Sequence, residues 1–345
     1  MSNYIGSPQA ARRSVYAVAG LQLWLESTDE WSAGLFERCF AGWHFAPSAL
    51  GQEPQSSFTI KVSTGTPPPP IPHGFEQFET NPGELCCTDG KVYFLTKGGS
   101  AILIHPQAES CLEVWIGDSE EDREPSALER IVFNAIGAAL RRCGLFELHS
   151  GGVIEPETGA GVLFVGPSGS GKSTLTMQLA AGGWSYMSDD LLLLREEPEG
   201  VIARGLRRFF AATEDSISAC SSSAGQSIVT VPAPSKPHKR RFEPEQLFPH
   251  AFAEEGVPRA LLFMSLTPQG DSYCEEIAPN EVITRLMKMY PWSCYDRPVA
   301  QQYLRVFAQL AKQCAAFDLY AGRDLLDDPA RARSLIASCV RKSVR

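Results

Sequence analysis

The sequence predicts an α/β protein in two parts: a β-rich N-terminal domain, residues 1–122, and a mixed-sheet α/β domain, residues 123–345. Short runs of alternating apolar and polar residues fill the first part, as in half-buried strands. The second part mixes hairpin signals with segments of helical periodicity, which favours a mixed sheet over strict strand–helix alternation. It also contains a glycine-rich loop between an apolar strand and a helix.

Composition restricts the class of protein. The chain has 345 residues, of which 43% are hydrophobic, and this is enough for two domains with packed cores. No apolar run reaches the roughly 18 residues of a membrane span. Gln22 and Glu26 interrupt the first apolar stretch and no small-residue cleavage site follows, so we expect no signal peptide. The ten cysteines form no C-x-x-C pair and no zinc spacing, which indicates reduced thiols in a cytoplasmic protein.

The net charge of −9 lies entirely in the first part. Residues 1–122 contain 6 Lys/Arg and 15 Asp/Glu, whereas the remaining residues balance. An acidic N-terminal half argues against nucleic acid as the main partner.

In the first part, strands are predicted at 15–25, 58–62, 91–96, 101–105 and 111–116. The last three are separated by Gly98-Gly99 and Pro106-Gln107, which predicts an antiparallel meander. This half contains no catalytic constellation.

The second part opens with an amphipathic helix at 125–143, begun by Pro125-Ser126. A hairpin turn at Glu157-Thr158-Gly159 precedes the strand 161–165. After the glycine-rich loop and its helix, further strands are predicted at 184–188, 201–203, 228–231, 259–266 and 315–320, and further helices at 280–290, 299–314 and 329–340. Asn280 is the expected cap of the first of these helices.

The glycine-rich loop matches the pattern G-x-x-x-x-G-K-S with the residues Gly166, Pro167, Ser168, Gly169, Ser170, Gly171, Lys172, Ser173 and Thr174. Glycines let backbone N–H groups approach an anion closely, and the following helix directs the positive end of its dipole to the same point. Lys172 would add a charge at the β/γ-phosphates, and the Ser173 hydroxyl would ligate Mg²⁺. The pattern therefore predicts a nucleotide-phosphate site.

Three further features could act on a bound nucleotide. Asp189-Asp190 end a predicted strand, where one carboxylate could hold Mg²⁺ and the other could accept a proton from an attacking hydroxyl. His149 precedes a glycine-rich bend and could tune the Asp pair or hold an acceptor. Arg207-Arg208 and residues 236–241 are basic and could stabilise phosphoryl charge, although such clusters are usually solvated faces.

Taken together, these elements resemble the C-terminal catalytic domain of the HPr kinase/phosphorylase family. The family has a His-Gly-Val-Leu element, a loop such as Gly-Asp-Ser-Gly-Ile-Gly-Lys-Ser, and an Asp-Asp pair. The matching residues are Leu148-His149-Ser150-Gly151-Gly152-Val153-Ile154, the stretch 161–173, and Ser188-Asp189-Asp190. The strand with Phe317-Asp318-Leu319-Tyr320 and the last helix also resemble related kinases, including those that phosphorylate lasso-peptide precursors.

The resemblance implies a P-loop fold like that of phosphoenolpyruvate carboxykinase, with ATP and Mg²⁺ and transfer of the γ-phosphoryl to a serine hydroxyl. By position, Asp190 matches the proton-accepting Asp and His149 its neighbouring His. Lys172 then binds phosphates, and Ser173 and Asp189 are the expected metal ligands. The acceptor is expected on a peptide or protein. A small-molecule hydroxyl, or a nucleotide-gated NTPase without an acceptor, stays open, as do the reverse reaction and a homo-oligomer.

Overall fold

The computed structural model describes residues 12–47, 56–105, 110–224, 228–233, 236–267, 270–290 and 296–343. The chain forms two compact units. The first comprises Met1–Leu145 and Pro291–Gln302, and the second comprises Phe146–Tyr290 and Tyr303–Arg345. This division differs from the expected ranges 1–122 and 123–345.

The first unit is built on a nine-stranded mixed sheet with the order β3-β1-β2-β4-β9-β8-β7-β6-β5. Its strands are β1 (Arg12–Val18), β2 (Leu21–Ser27), β3 (Ala46–Pro47), β4 (Ser56–Thr64), β5 (Glu76–Asn81), β6 (Glu84–Thr88), β7 (Tyr93–Lys97), β8 (Ser100–Ile104) and β9 (Cys111–Ile116). The antiparallel run β7 to β9 confirms the predicted meander, which continues through the unpredicted strands β6 and β5. In contrast, β4 pairs in parallel with both β2 and β9.

Two helices pack on this sheet, α1 (Glu30–Ala41) and α2 (Pro125–Arg142). Helix α1 was not predicted, although Asp29 is a suitable N-cap and its carboxylate accepts a hydrogen bond from the Ser32 N–H at 2.8 Å. The predicted helix at 125–143 is confirmed as α2. It contacts β4, β8 and β9 and buries an apolar stripe that includes Val132 and Ile136. The boundary between the two units therefore lies after α2, and not before it as predicted.

The second unit has three sheets. The six-stranded sheet has the order β13-β11-β12-β20-β22-β21, the four-stranded sheet β10-β14-β15-β19, and the three-stranded sheet β16-β18-β17. The strands are β10 (Leu145–Leu148), β11 (Ser150–Ile154), β12 (Gly161–Val165), β13 (Ser185–Ser188), β14 (Leu192–Glu197), β15 (Gly200–Gly205), β16 (Phe210–Ala212), β17 (Val231–Ala233), β18 (Lys236–Phe242), β19 (Glu255–Gly256), β20 (Pro258–Leu266), β21 (Tyr273–Glu276) and β22 (Ala315–Ala321).

The remaining helices are α3 (Lys172–Ala181), α4 (Glu214–Ala224), α5 (Pro279–Lys288), α6 (Arg297–Gln313), α7 (Asp324–Asp327) and α8 (Pro329–Ser343), with a 3₁₀ turn at Pro244–Gln246. In the six-stranded sheet, β12, β20 and β22 are parallel and β11, β13 and β21 run antiparallel to their neighbours. The protein is thus a mixed α/β protein. Its second unit buries Phe164, Leu262 and Phe317 in one apolar core with α3 and α8.

Several local expectations need correction. The helix predicted to be capped by Asn280 begins at Pro279, and Ala278 is its N-cap without a side-chain hydrogen bond. Residues 214–224, for which no element was predicted, form α4, and the strand expected at 228–231 lies at Val231–Ala233. Among the described residues, no helix is long and apolar enough to cross a membrane. The nine described cysteines are free thiols, and Cys294 lies outside the described residues.

Candidate active site

The glycine-rich loop connects β12, a fully buried strand in the middle of the six-stranded sheet, to α3. The predicted order of strand, loop and helix is therefore present. Because β12 and β20 are parallel, the loop leaves the sheet at the edge where β20 also ends. Ligand sites in α/β sheets commonly lie at this carboxyl edge.

Backbone geometry explains why glycine occupies three positions of the loop. Gly169 and Gly171 have φ angles of 88° and 93°, which side chains strongly disfavour. A Cβ atom on Gly166 would lie 2.8 Å from the carbonyl oxygen of Met264 on β20 and 2.7 Å from the hydroxyl of Ser170. The loop can turn tightly over the sheet edge only with glycine at these positions.

Lys172 begins α3 and is almost completely buried. Its ammonium group donates hydrogen bonds to the carbonyl oxygens of Gly166, at 2.7 Å, and Pro167, at 3.0 Å. The loop therefore wraps around a fixed positive charge. At the same end of α3, Gly171 is the N-cap and supplies no side-chain acceptor to the first N–H groups of the helix. Such N–H groups bind anions readily.

Asp189 follows β13 directly and is 1% exposed. Its Oδ2 accepts a hydrogen bond from the Ala211 N–H on β16 at 3.1 Å. Its Oδ1 is buried and has no hydrogen-bond partner among the described residues. Burial, and next the neighbouring Asp190, raise the pKa of Asp189 above its usual range, although the Ala211 N–H and the Ser173 hydroxyl partly offset this rise. The carboxylate is thus poised to take a cation.

Asp190 has a different environment because it lies at the rim of the site. Its Oδ2 is 2.6 Å from a guanidinium nitrogen of Arg207, and its Oδ1 is 3.3 Å from Nδ1 of His149. The side chains of His149 and Arg207 are each about one-third exposed. The two adjacent carboxylates therefore point to different partners, as the sequence analysis expected for neighbours at a strand end.

His149 lies between β10 and β11 and is held by its backbone as well as by its ring. Its N–H donates to the hydroxyl of Tyr290 at 2.6 Å. The Tyr290 ring in turn stacks on Tyr303, with centroids 5.5 Å apart. The imidazole is thus anchored beside Asp190.

The glycine-rich bend expected after His149 is a strand instead. Gly151 and Gly152 lie within β11, opposite Phe164 and Leu163 of β12. A Cβ on Gly151 would approach the Thr176 hydroxyl of α3 to 2.7 Å. Glycine is present here because α3 packs closely against β11, and not because the chain turns.

The structure brings most of the sequence-predicted residues together. Ser173 joins the loop to Asp189, and His149 joins β11 to Asp190. The Thr174 hydroxyl lies 3.0 Å from that of Ser216, at the start of α4. Gly166, Pro167, Ser168, Gly169, Ser170 and Gly171 form the loop itself.

Three contributing residues were not assigned from the sequence. Arg207 was noticed only as part of a basic pair, whereas the structure bonds it to Asp190. Ala211 and Tyr290 contribute a backbone N–H and a hydroxyl from distant segments. A basic pair near a phosphate loop was the only available signal, because the contacts of Ala211 and Tyr290 depend on tertiary pairing.

A divalent cation fits the site in one place. Mg²⁺ is commonly held by one or two carboxylates or hydroxyls together with substrate phosphates. Ser173 and the partnerless Oδ1 of Asp189 supply this donor set beside the loop. Among the described residues, no group of three or more His, Cys, Asp or Glu side chains could hold a metal, so a cation here would also need ligands from the nucleotide or water.

Comparison with known proteins provides little further information. No family model matches the chain, and no curated protein matches it. One similar solved structure is the Hpr(Ser) kinase/phosphatase from Coxiella burnetii, with 12% sequence identity and a TM-score of 0.32. The alignment covers 58% of this chain and 99% of that chain. The likeness is too weak to assign a family, so the family resemblance of the motifs stays a prediction.

Proposed function

We propose that the protein is an ATP- and Mg²⁺-dependent kinase that transfers the γ-phosphoryl group to a hydroxyl, most directly that of a serine in a peptide or protein. The observation that carries this proposal is that the two carboxylates of the Asp pair have different environments. Asp189 is sealed beside Ser173 of the loop, whereas Asp190 faces His149 and Arg207 at the rim. Phosphoryl transfer to a hydroxyl needs both a charge clamp and a base.

In this mechanism, the loop N–H groups and Lys172 bind the phosphates of ATP. The acceptor hydroxyl lies beside Asp190, which takes its proton as the oxygen forms a bond to the γ-phosphorus. The bond between that phosphorus and the bridging oxygen breaks, and ADP leaves with the electron pair. His149 and Arg207 hold the Asp190 carboxylate in place, and Arg207 also brings positive charge to the transferred group.

Ser173 and Asp189 are the residues that would hold Mg²⁺. The ion would neutralise charge on the β- and γ-phosphate oxygens. Because Asp189 is also bonded to the Ala211 N–H, its free oxygen keeps a fixed direction relative to the loop. Asp189 is therefore a metal ligand in this proposal, and the rim position leaves Asp190 to contact the acceptor.

The test is phosphoryl transfer from labelled ATP to a library of serine peptides by the wild type and by Asp190→Asn. Loss of a general base typically costs about 10²- to 10⁴-fold in rate, and the nucleotide affinity should change little. Asp318→Asn is the matched control, because Asp318 is paired with Arg285 elsewhere in the same unit. Unchanged transfer by Asp190→Asn would refute the assignment of the base.

The same assay distinguishes a kinase from an NTPase without an acceptor. A kinase consumes ATP faster when an acceptor is present, and the label then appears on that acceptor. ATP hydrolysis that is indifferent to every hydroxyl compound, together with no labelled product, would contradict the proposed function.

A further inference from the structure

A strongly basic segment borders the Asp pair, and apart from Arg207 its cationic side chains have no part in the proposed mechanism. Residues 207–242 contain six Lys/Arg and two Asp/Glu, although the whole chain carries a net charge of −9. We call Arg208, Lys239 and Arg241 the basic surface. Arg208 is exposed, and Lys239 and Arg241 are partly exposed.

The basic surface is attached to the site through β16 and β18. The Ala211 N–H that binds Asp189 belongs to β16, and Ala211 is the register partner of Arg241 on β18. Directly opposite residues in antiparallel strands have Cα atoms about 5 Å apart. Arg208 is the next residue after Arg207, which binds Asp190. The segment 207–211 therefore holds both carboxylates of the Asp pair. Basic residues lie next to its two ends, Arg208 in the chain and Arg241 on the paired strand.

Side-chain direction places Arg241 on the face of β18 opposite the core. Successive residues alternate between the two faces of a strand, and Arg241 directly precedes buried Phe242 in the regularly paired end of β18. Lys239 lies two residues before Arg241, beside the register shift between β17 and β18. The guanidinium of Arg241 lies 4.0 Å from the centre of the Phe209 ring. This stacking orients the charge before any ligand arrives. Arg240, on the Phe242 face, is paired with Glu214 at 3.5 Å.

We infer that the basic surface binds an acidic segment of the peptide or protein that carries the acceptor hydroxyl, an inference that rests on the proposed kinase function. Because β16 and β18 connect the basic surface to Asp189, the acidic segment would begin a few residues from the serine that is phosphorylated. Nucleic acid fits less well, because the acidic chain as a whole repels a polyanion at longer range.

The probes are three fluorescent serine peptides that are identical except for flanking glutamate, glutamine or lysine residues. Their binding to the full-length protein is measured by anisotropy without nucleotide. The glutamate peptide should bind most tightly. Its affinity should fall steeply as the ionic strength rises from about 0.1 M to about 1 M, because the Debye length shrinks from about 10 Å to about 3 Å.

The variants are Arg208→Glu and Lys239→Glu, singly and together, with Arg305→Glu as the matched control. Arg305 is 68% exposed and lies on α6 of the same unit, outside the basic surface. The double variant should weaken the glutamate peptide about tenfold or more, because each exposed ion pair contributes up to about 1 kcal/mol and each reversal also adds repulsion. Arg241→Gln is a milder variant that removes one positive charge without adding a negative one, and melting temperatures verify folding of every variant.

The outcomes are distinguishable from failure of the kinase assignment, because peptide binding needs no phosphoryl transfer. Preference for the glutamate peptide that disappears in the double variant supports the inference, whether or not transfer is detected. Equal affinity for the glutamate and glutamine peptides would overturn it. A single-stranded oligonucleotide that binds more tightly than the glutamate peptide, and is lost in the same variants, would also overturn it.

Discussion

The close packing of α3 on β11 predicts that Gly151→Ala destabilises the second unit and weakens nucleotide binding. The new Cβ would lie 2.7 Å from the Thr176 hydroxyl, whereas ordinary contacts begin at 3.4 Å. The helix or the strand must therefore move by roughly 0.7 Å. Both elements carry site residues, since α3 begins with Lys172 and β11 follows His149.

The magnitude follows from the cost of overpacking. Extra atoms in a packed core typically cost about 1–3 kcal/mol. For a unit of this size, a loss of about 2 kcal/mol lowers the melting temperature by roughly 4–8 °C. The assay combines thermal unfolding with the Kd of a fluorescent ATP analogue, and both values should worsen in Gly151→Ala.

Thr176→Ala supplies the decisive second mutation. Thr176 is fully buried and its hydroxyl has no hydrogen-bond partner among the described residues, so its removal breaks no hydrogen bond there. In the double variant the clash disappears, and the coupling free energy should recover about 1–2 kcal/mol of the loss. Gly152→Ala is the control, because its Cβ would meet the flexible ends of Leu192 and Met187 instead. No recovery in Gly151→Ala/Thr176→Ala would refute the packing argument.

Two further predictions concern stability of the first unit. Burial raises the pKa of Asp122, but hydrogen bonds from Ser119, Ser100 and the Gly99 N–H outweigh it and lower the pKa below its usual value. The folded state thus binds this proton less tightly than the unfolded state does. The stability that Asp122 contributes is therefore fully present above the unfolded pKa near 3.8, and it is lost as the pH falls through the pKa of the folded state. Asp122→Ala should cost about 1–3 kcal/mol at neutral pH in urea denaturation, since the buried Ser100 hydroxyl loses its acceptor. The unfolding free energy of this variant should then fall less than that of the wild type at acid pH; an equal acid loss in both proteins would contradict this. The side chains of Arg142 and Asp296 form a buried ion pair, 2.7 Å apart. Asp296→Ala should lower the free energy of unfolding by about 3–5 kcal/mol because an uncompensated guanidinium remains, and Arg142→Met/Asp296→Leu should recover most of this loss. A double variant no more stable than the single one would exclude this cause.

Local patterns were sufficient to predict several parts of the protein. The meander β7 to β9, the helix α2 and the passage from β12 through the glycine loop to α3 all follow from periodicity and turn residues. The parallel pairing of β4 was not accessible in this way, because the pattern of an isolated strand does not specify its neighbours. Likewise α1 was missed, although its Asp29 cap was visible.

The boundary between the two units shows the same limit. The predicted boundary between residues 122 and 123 assigns α2 to the second domain, but α2 packs its apolar stripe against the sheet of the first unit. A helix pattern shows that one face must be buried, and it does not show against which sheet. Only the packed structure settles the unit to which the helix belongs.

The sequence by itself determined the loop, because the φ angles near 90° at Gly169 and Gly171 belong to a local turn that only glycine adopts readily. It also singled out Lys172, Ser173, Asp189, Asp190 and His149 as residue types suited to the chemistry. Only the tertiary structure decided how the two carboxylates differ. Asp189 is buried because β16 covers it. Asp190 contacts Arg207 and His149 because segments that are distant in sequence meet at the rim of the site. Burial and charge pairing arise from contacts far apart in sequence, and such contacts exist only once the chain has folded.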